Sequence, residues 1–279
     1  MKIPARLLPL LEAHLIDDVV TQLKSGKEAE VYVVLSEGEY RCAKVYKEAS
    51  NRSFKHTAQY TEGRKVRSSR RSRAMNSNSR YGRQEREAEW HNTEVEALAM
   101  LAAAGVRVPR THSYYEGVLL LEMITDASGS PAPRLSELRL TKDEAKKYFL
   151  DLMREVVRML CAGYVHGDLS EFNVLLSKDG LVIIDLPQAV QATSQSAFSI
   201  FERDMAQLAA YFGKFAPEIL NTEYTHEIWT SYQNGRLRPD TKLTGTFKHS
   251  TKKADVRGVM EEIDDVRDEE MERRGFHKK

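Results

Sequence analysis

Three polar side chains between residues 164 and 185 have the types and spacing of a phosphoryl-transfer site. In YVHGDLSEFNVLL, Asp168 and Asn173 lie five positions apart, close enough for a loop to bring both side chains together. An aspartate placed there can accept a hydroxyl proton, and an asparagine can lend its amide oxygen to a metal ion. Asp185 closes the apolar run Leu181-Val182-Ile183-Ile184 and would set a second hard oxygen at a strand end. Magnesium takes one or two carboxylates together with phosphate oxygens, so Asn173 and Asp185 suit it. Singly, each residue has an ordinary explanation, since Asp and Asn also cap loops and turns. Their order and spacing argue for chemistry.

Phosphoryl transfer also needs a cation on the phosphates and a backbone cradle. Lys44 in CAKVY supplies the first, and Ser25-Gly26-Lys27-Glu28-Ala29, with Val31 just beyond, supplies the second. Glu94 is placed to pair with Lys44, and the backbone of Glu122, Met123 and Ile124 is placed to meet an adenine edge. His166 reads as a residue that bonds backbone rather than as a base.

The elements that must carry these residues follow from periodicity. Leu7, Leu8, Leu11, Leu15, Val19 and Leu23 are near helical spacing and predict a helical start over residues 5–24. Val31, Val33 and Leu35, then Cys42 and the Val45/Tyr46 pair, predict two strands turning at Glu37-Gly38. A helix is expected over 93–104, with Val95, Leu98, Ala99, Leu101 and Ala102 on its apolar face and Gly105 as its stop. A hairpin about Gly117 follows, then TDASGSPAPRL with the composition of a linker. Thr141 and Glu144 form a capping box at the head of a long helix ending near Gly163. LVIIDL reads as a short strand and residues 198–220 as helical. The chain is thus α+β, with an N-lobe over 1–124, a mainly helical C-lobe over 125–225 and a charged tail over 226–279.

The net charge of +1 over 279 residues hides an asymmetry. Residues 52–83 hold ten Lys/Arg, six serines and one acid, Glu62, with no apolar period, which is the composition of a solvated loop. No run approaches the roughly 18 apolar residues of a membrane span, so a cytoplasmic protein without a membrane partner is expected. Cys42 and Cys161 lack CxxC or Cys/His grouping and are expected as buried thiols rather than a disulfide or zinc site.

The segments SGKEAEVY, CAKVYK, WHNTEVEALAMLAAAGV, LEMI, PAPRL, VHGDLSEFNVLL and IIDLPQAV resemble the RIO family of atypical serine/threonine protein kinases over roughly residues 20–213. The RIO1 type is nearest, IDLPQA leans toward the RIO2 type, and a bacterial member is the reading. The resemblance implies a bilobal kinase-like fold with an antiparallel N-lobe sheet and a truncated activation segment. It implies ATP with Mg2+, or Mn2+ in its place, and phosphorylation of serine or threonine, including on the chain itself. It also implies Asp168 as base, Asn173 and Asp185 as metal ligands, Lys44 on phosphate with Glu94 as its partner, and Asp185 as a group able to take the phosphoryl itself. Asp204 would brace the catalytic loop. Gly167 stands where most protein kinases have arginine, and no APE triplet follows Asp204. Two rivals stay open. One is a small-molecule phosphotransferase of the aminoglycoside or choline kinase sort, which uses the same HGDxxxxN and IID. The other is an ATP-gated binding module on a ribosomal particle, with the positive loop on its phosphate backbone.

Overall fold

The computed structural model describes residues 3–26, 29–47 and 93–248. Lys27, Glu28, the basic segment 52–83 and the tail 254–279 lie outside them. The chain divides at Thr246/Phe247, and all that follows concerns the unit up to Thr246.

Five strands form one antiparallel sheet in the order β1-β2-β3-β5-β4: β1 (Asp18–Ser25), β2 (Ala29–Ser36), β3 (Glu39–Tyr46), β4 (Thr111–Tyr115) and β5 (Val118–Glu122). The β2–β3 and β4–β5 turns have paired positive φ, at Glu37 and Gly38 (55° and 78°) and at Glu116 and Gly117 (48° and 77°). That geometry matches strand twist in two-residue hairpins and favours glycine second. Alternation along β2 and β3 sends Tyr32, Val34, Ala43 and Val45 to a back face. There they meet Leu7 and Leu10 from the 3-10 turn Ala5–Leu7 and from α1 (Leu8–Glu12).

The helical start is therefore shorter than its spacing suggests. α1 ends at Glu12, and Val19 and Leu23 belong to β1. β1 pairs with β2 through Asp18↔Leu35 and Thr21↔Val33, and this ladder outweighs the chance i, i+4 spacing of Leu15, Val19 and Leu23.

Helix α2 covers 93–103 on the sheet's other face, stopped by Gly105 at φ +75°. Its buried stripe is Glu94, Ala97, Leu98 and Leu101, whereas Ala99 and Ala102 are exposed. The segment expected as a linker is ordered. Asp126 Oδ1 accepts from the Ser128 and Ser130 amides at 2.8 and 3.1 Å, and Thr125 bridges to Pro131.

The C-lobe is built on α3 (Lys142–Cys161), α4 (Ala197–Gly213) and α5 (Tyr224–Gln233). Thr141 and Glu144 form the capping box of α3, with Glu144 N 3.3 Å from Thr141 Oγ1 and Thr141 N 2.8 Å from Glu144 Oε2. Phe149 packs edge-on to Phe212 of α4 and Tyr224 of α5 at ring separations of 5.6 and 5.7 Å. Each such buried ring contributes about 1.5–3 kcal/mol. Two short ladders lie against these helices, β6 (Tyr164–Val165) with β9 (Val190–Gln191) and β7 (Val174–Ser177) with β8 (Gly180–Ile183). Cys42 is half-buried and Cys161 exposed at the end of α3, so neither is the fully buried thiol expected from its apolar neighbours.

Candidate active site

Site construction begins with the alternation of β3. Ala43 and Val45 face the back core, so Lys44 and Tyr46 face α2 and the cleft. Lys44 Nζ donates to Glu94 Oε1 at 2.7 Å and to Asp185 Oδ1 at 2.6 Å. The Tyr46 hydroxyl donates to the other Glu94 oxygen, in a pocket where both residues are about 1% exposed. Burial works against the charge on Lys44, yet Asp185 and then Glu94 hold its ammonium above the ordinary lysine range. Such a buried ion group fixes geometry more than it stabilises, and removing one member leaves the others uncompensated.

The β7–β8 hairpin brings the backbone of Asn173 next to that leading into Asp185. Val174 pairs with Ile183, and Ile184 N donates to the Asn173 carbonyl at 2.9 Å. The strand stops at Ile183, so Asp185 is two residues beyond its end, in left-handed backbone at φ +69°. A non-glycine residue there is uncommon and concentrates at functional sites. Asn173 Nδ2 donates to the Asp168 carbonyl at 2.9 Å and to its carboxylate at 3.2 Å. Desolvation and then the Asp185 charge raise the Asp168 carboxyl, while Lys44 overcomes desolvation to hold Asp185 below the usual range. Two carboxylates driven apart in this way suit different roles, one trading a proton and one staying charged.

His166 is buried beneath the loop, with Nε2 3.1 Å from the Ile184 carbonyl and Nδ1 accepting from Asp168 N at 3.2 Å. One neutral tautomer, protonated on Nε2, satisfies both bonds. Burial pushes this imidazole down to about 4, so at neutral pH it is a brace and not a base.

The model of the RIO domain matches residues 30–225. The chain belongs to the RIO family. It is 32% identical over 210 residues to the RIO-type serine/threonine-protein kinase Rio1 of Haloferax volcanii, covering 75% of this chain and 68% of that one. It is 28% identical over 224 residues to serine/threonine-protein kinase RIO1 of Caenorhabditis elegans, covering 80% of this chain and 42% of the nematode protein. The chain thus spans about two fifths of that longer relative. Among solved structures it resembles the Rio2 kinase of Chaetomium thermophilum, crystallised as an ADP/Mg2+-phosphoaspartate complex, at TM-score 0.54 and 19% identity, covering 75% of this chain and 59% of that one. That likeness carries the bilobal kinase-like fold, and the matched residues are the RIO domain of proteins named as RIO-type serine/threonine kinases.

In this RIO domain Gly167 has a steric reason beyond the missing arginine. Its φ is +87°, and a Cβ would stand 2.2 Å from the Gln188 carbonyl oxygen. Gly167 N donates to Asp204 Oδ2 at 2.8 Å, and Arg203 donates to the Gly167 carbonyl. Asp204 therefore braces the loop from α4. Burial raises its carboxyl to about 7 against those donated bonds.

The structure brings Lys44, Glu94, Asp168, Asn173 and Asp185 together, and sets Val31 directly opposite Lys44 in the β2–β3 register. Gly26 N donates to the Ala29 carbonyl at 2.9 Å, and Lys27 and Glu28 lie outside the described residues. Glu122 ends β5 with its N–H on the Arg110 carbonyl at 2.8 Å, and the Ile124 carbonyl accepts from Ala132 at 2.9 Å, with Met123 between them. Tyr46 and Arg203 were not anticipated. The strand period carried a signal for Tyr46, which shares a face with Lys44 two residues earlier.

No group of three or more His, Cys, Asp or Glu suited to a metal occurs among the described residues. Asn173 and Asp185 supply two hard oxygens, and the Asn173 NH2 is engaged with Asp168, which leaves its amide oxygen for a cation. This fits magnesium, which fills its remaining positions with phosphate and water. Asp168 and Asn173 also line an open cavity of about 470 Å³, together with Ser170, Phe172, Gln207, Tyr211 and Lys214. Phe172 is 54% exposed there. No helix among the described residues is long and apolar enough to cross a membrane.

Proposed function

We propose that the chain transfers the γ-phosphoryl group of ATP to serine or threonine, with Asp168 as the base and the cavity beside it as the entry for the acceptor. The observation that carries this reading is the convergence of Lys44 on Glu94 and Asp185 next to the Asp168–Asn173 bond. Lys44 would hold the phosphates, the segment Ser25–Ala29 would cradle them, Val31 would cover the nucleotide, and Glu122 to Ile124 would meet the adenine. Magnesium held by Asn173 and Asp185 would neutralise charge on the phosphates. Asp168 accepts the acceptor hydroxyl proton as the oxygen attacks the γ-phosphorus and ADP leaves. The raised Asp168 carboxyl is closer to the working pH than an ordinary aspartate, as a base needs.

The Rio2 relative was crystallised with ADP, Mg2+ and a phosphoaspartate. Asp185 would take the γ-phosphoryl group as ADP leaves, and attack of water on that aspartyl-phosphate would release phosphate and restore the carboxylate, an ATPase branch. The basic serine-rich segment 52–83 is the proposed site of self-phosphorylation.

The test is label transfer from γ-labelled ATP. Asp168→Ala should abolish transfer while nucleotide still binds; undiminished transfer removes Asp168 from the role of base. Mass spectrometry after incubation with Mg-ATP should find phosphoserine within 52–83. Rapid transfer to an amino-alcohol or aminoglycoside instead would favour a small-molecule phosphotransferase.

A further inference from the structure

Two cations beside the site have no part in the chemistry above. The first is Lys24 on β1. Register sets Lys24 opposite Val31 and Val31 opposite Lys44, so the three form one row across adjacent strands. Directly opposed residues project from the same face of a sheet, and the contacts of Lys44 identify that face as the cleft. Two strand spacings separate the backbones of Lys24 and Lys44, about 10 Å. That is the scale of a nucleotide's polyphosphate.

The second cation is Arg134, in the PAPRL stretch. Its backbone bridges to Leu175 of β7, and Leu176 N donates to the Pro133 carbonyl at 2.9 Å. Arg134 is therefore tied to the hairpin that carries Asn173 and Asp185. The charges acting on Lys24 are those of Arg134, Glu137 and Asp185, and Arg134 acts on Asp185 as well. One cation reaches the region from the sheet and the other from the C-lobe. The nearby carboxylates are engaged elsewhere, with Asp185 on Lys44 at 2.6 Å and Glu137 on the Arg134 backbone N–H at 3.1 Å. Two like charges held near each other repel, and an anion between them removes that cost.

We propose that Lys24 and Arg134 form a second phosphate clamp, which grips the nucleotide's polyphosphate from both lobes on the side away from Lys44. The clamp rests on the kinase reading and adds two residues that lie outside both the glycine turn and the catalytic loop. Arg134 brings a planar fork suited to two phosphate oxygens, and Lys24 brings a mobile point charge. A ligand bridging β1 and the C-lobe would also draw the lobes together.

The experiment compares binding of ATP and adenosine to the full chain by calorimetry in EDTA, for wild type, Lys24→Gln, Arg134→Gln and the double variant. Adenosine has the base and ribose but no phosphate, so it reports whether the pocket is intact. Each single variant should weaken ATP about tenfold, the scale of one charged hydrogen bond, with adenosine unchanged within about twofold. Lys24→Arg and Arg134→Lys should recover part of the loss. ATP affinity unchanged in both single variants, or ATP and adenosine weakened together, overturns the clamp. A wild-type chain that binds neither compound removes the kinase reading and the clamp with it, an outcome distinct from a wild type that binds ATP and variants that bind it equally.

Discussion

Tyr46→Phe isolates a single hydroxyl in the centre of the site. The tyrosine OH donates to Glu94 while Lys44 takes the other carboxylate oxygen, and Tyr46 and Glu94 are both about 1% exposed. Water cannot replace the lost donor without opening this pocket. A hydrogen bond to a charged group contributes roughly 1.5–3 kcal/mol, and a buried acceptor left unmatched bears that loss in full. Phenylalanine keeps the ring, so core packing persists. It also keeps the face over which the Lys44 ammonium sits, 5.2 Å from the ring centroid. The expected loss is therefore about 2 kcal/mol, read as a lower urea midpoint at constant slope.

A second effect is expected on rate. With one oxygen released, Glu94 can turn, and Lys44 loses part of the brace that, on the proposed function, aims it at the phosphates. Positioning errors of this kind cost up to about 10²-fold in kcat/KM. A double-mutant cycle with Glu94→Gln separates the hydroxyl's interaction with Glu94 from any general loosening. Stability within about 0.5 kcal/mol of wild type, or full additivity in the cycle, would refute the assignment of Tyr46 as the second support of Glu94.

Gly167→Ala meets the Gln188 carbonyl at 2.2 Å with φ at +87°, so left-handed strain of about 1–2 kcal/mol and overpacking of about 1–3 kcal/mol should both appear in its unfolding free energy. Label transfer should fall with it, because Asp168 is the next residue; a variant of native stability and rate would show that the loop relaxes freely. For His166, the folded value near 4 lies below the ordinary 6.5, so its neutral form stabilises the fold fully above pH 6.5 and less as pH falls toward 4. The stability difference between wild type and His166→Gln should therefore shrink by up to about 3 kcal/mol from pH 6.5 to 4; parallel curves would exclude the buried neutral histidine. The comparison must be a difference, because Asp204, raised to about 7, contributes with the opposite sign, favouring the fold at low pH and losing that as pH rises through 7.

The candidate catalytic loop was legible because its signal is local. Asp168 and Asn173 are linked by a bond spanning five residues, and Asn173 meets Ile184 across a tight hairpin, so spacing alone constrains the geometry. The Lys44–Glu94 pair bridges 50 residues and the Lys44–Asp185 pair 141, and no period in the chain encodes either. A buried acid looks the same in sequence as an exposed one. Glu94 was reached from its place on the helix after the basic segment and the need of Lys44 for a partner, whereas Tyr46, which makes its burial tolerable, was not. β1 was missed for the converse reason. Only Val19 in this edge strand is buried, so it lacks the alternation that marks a half-buried strand, and its apolar residues happened to fall at helical spacing. That missed strand is what sets Lys24 in register with Lys44. The residues hardest to read from sequence are therefore those whose role depends on a sheet row rather than on chain neighbours. Arg134 belongs with them, since its relation to Asp185 runs through a single backbone bridge to Leu175.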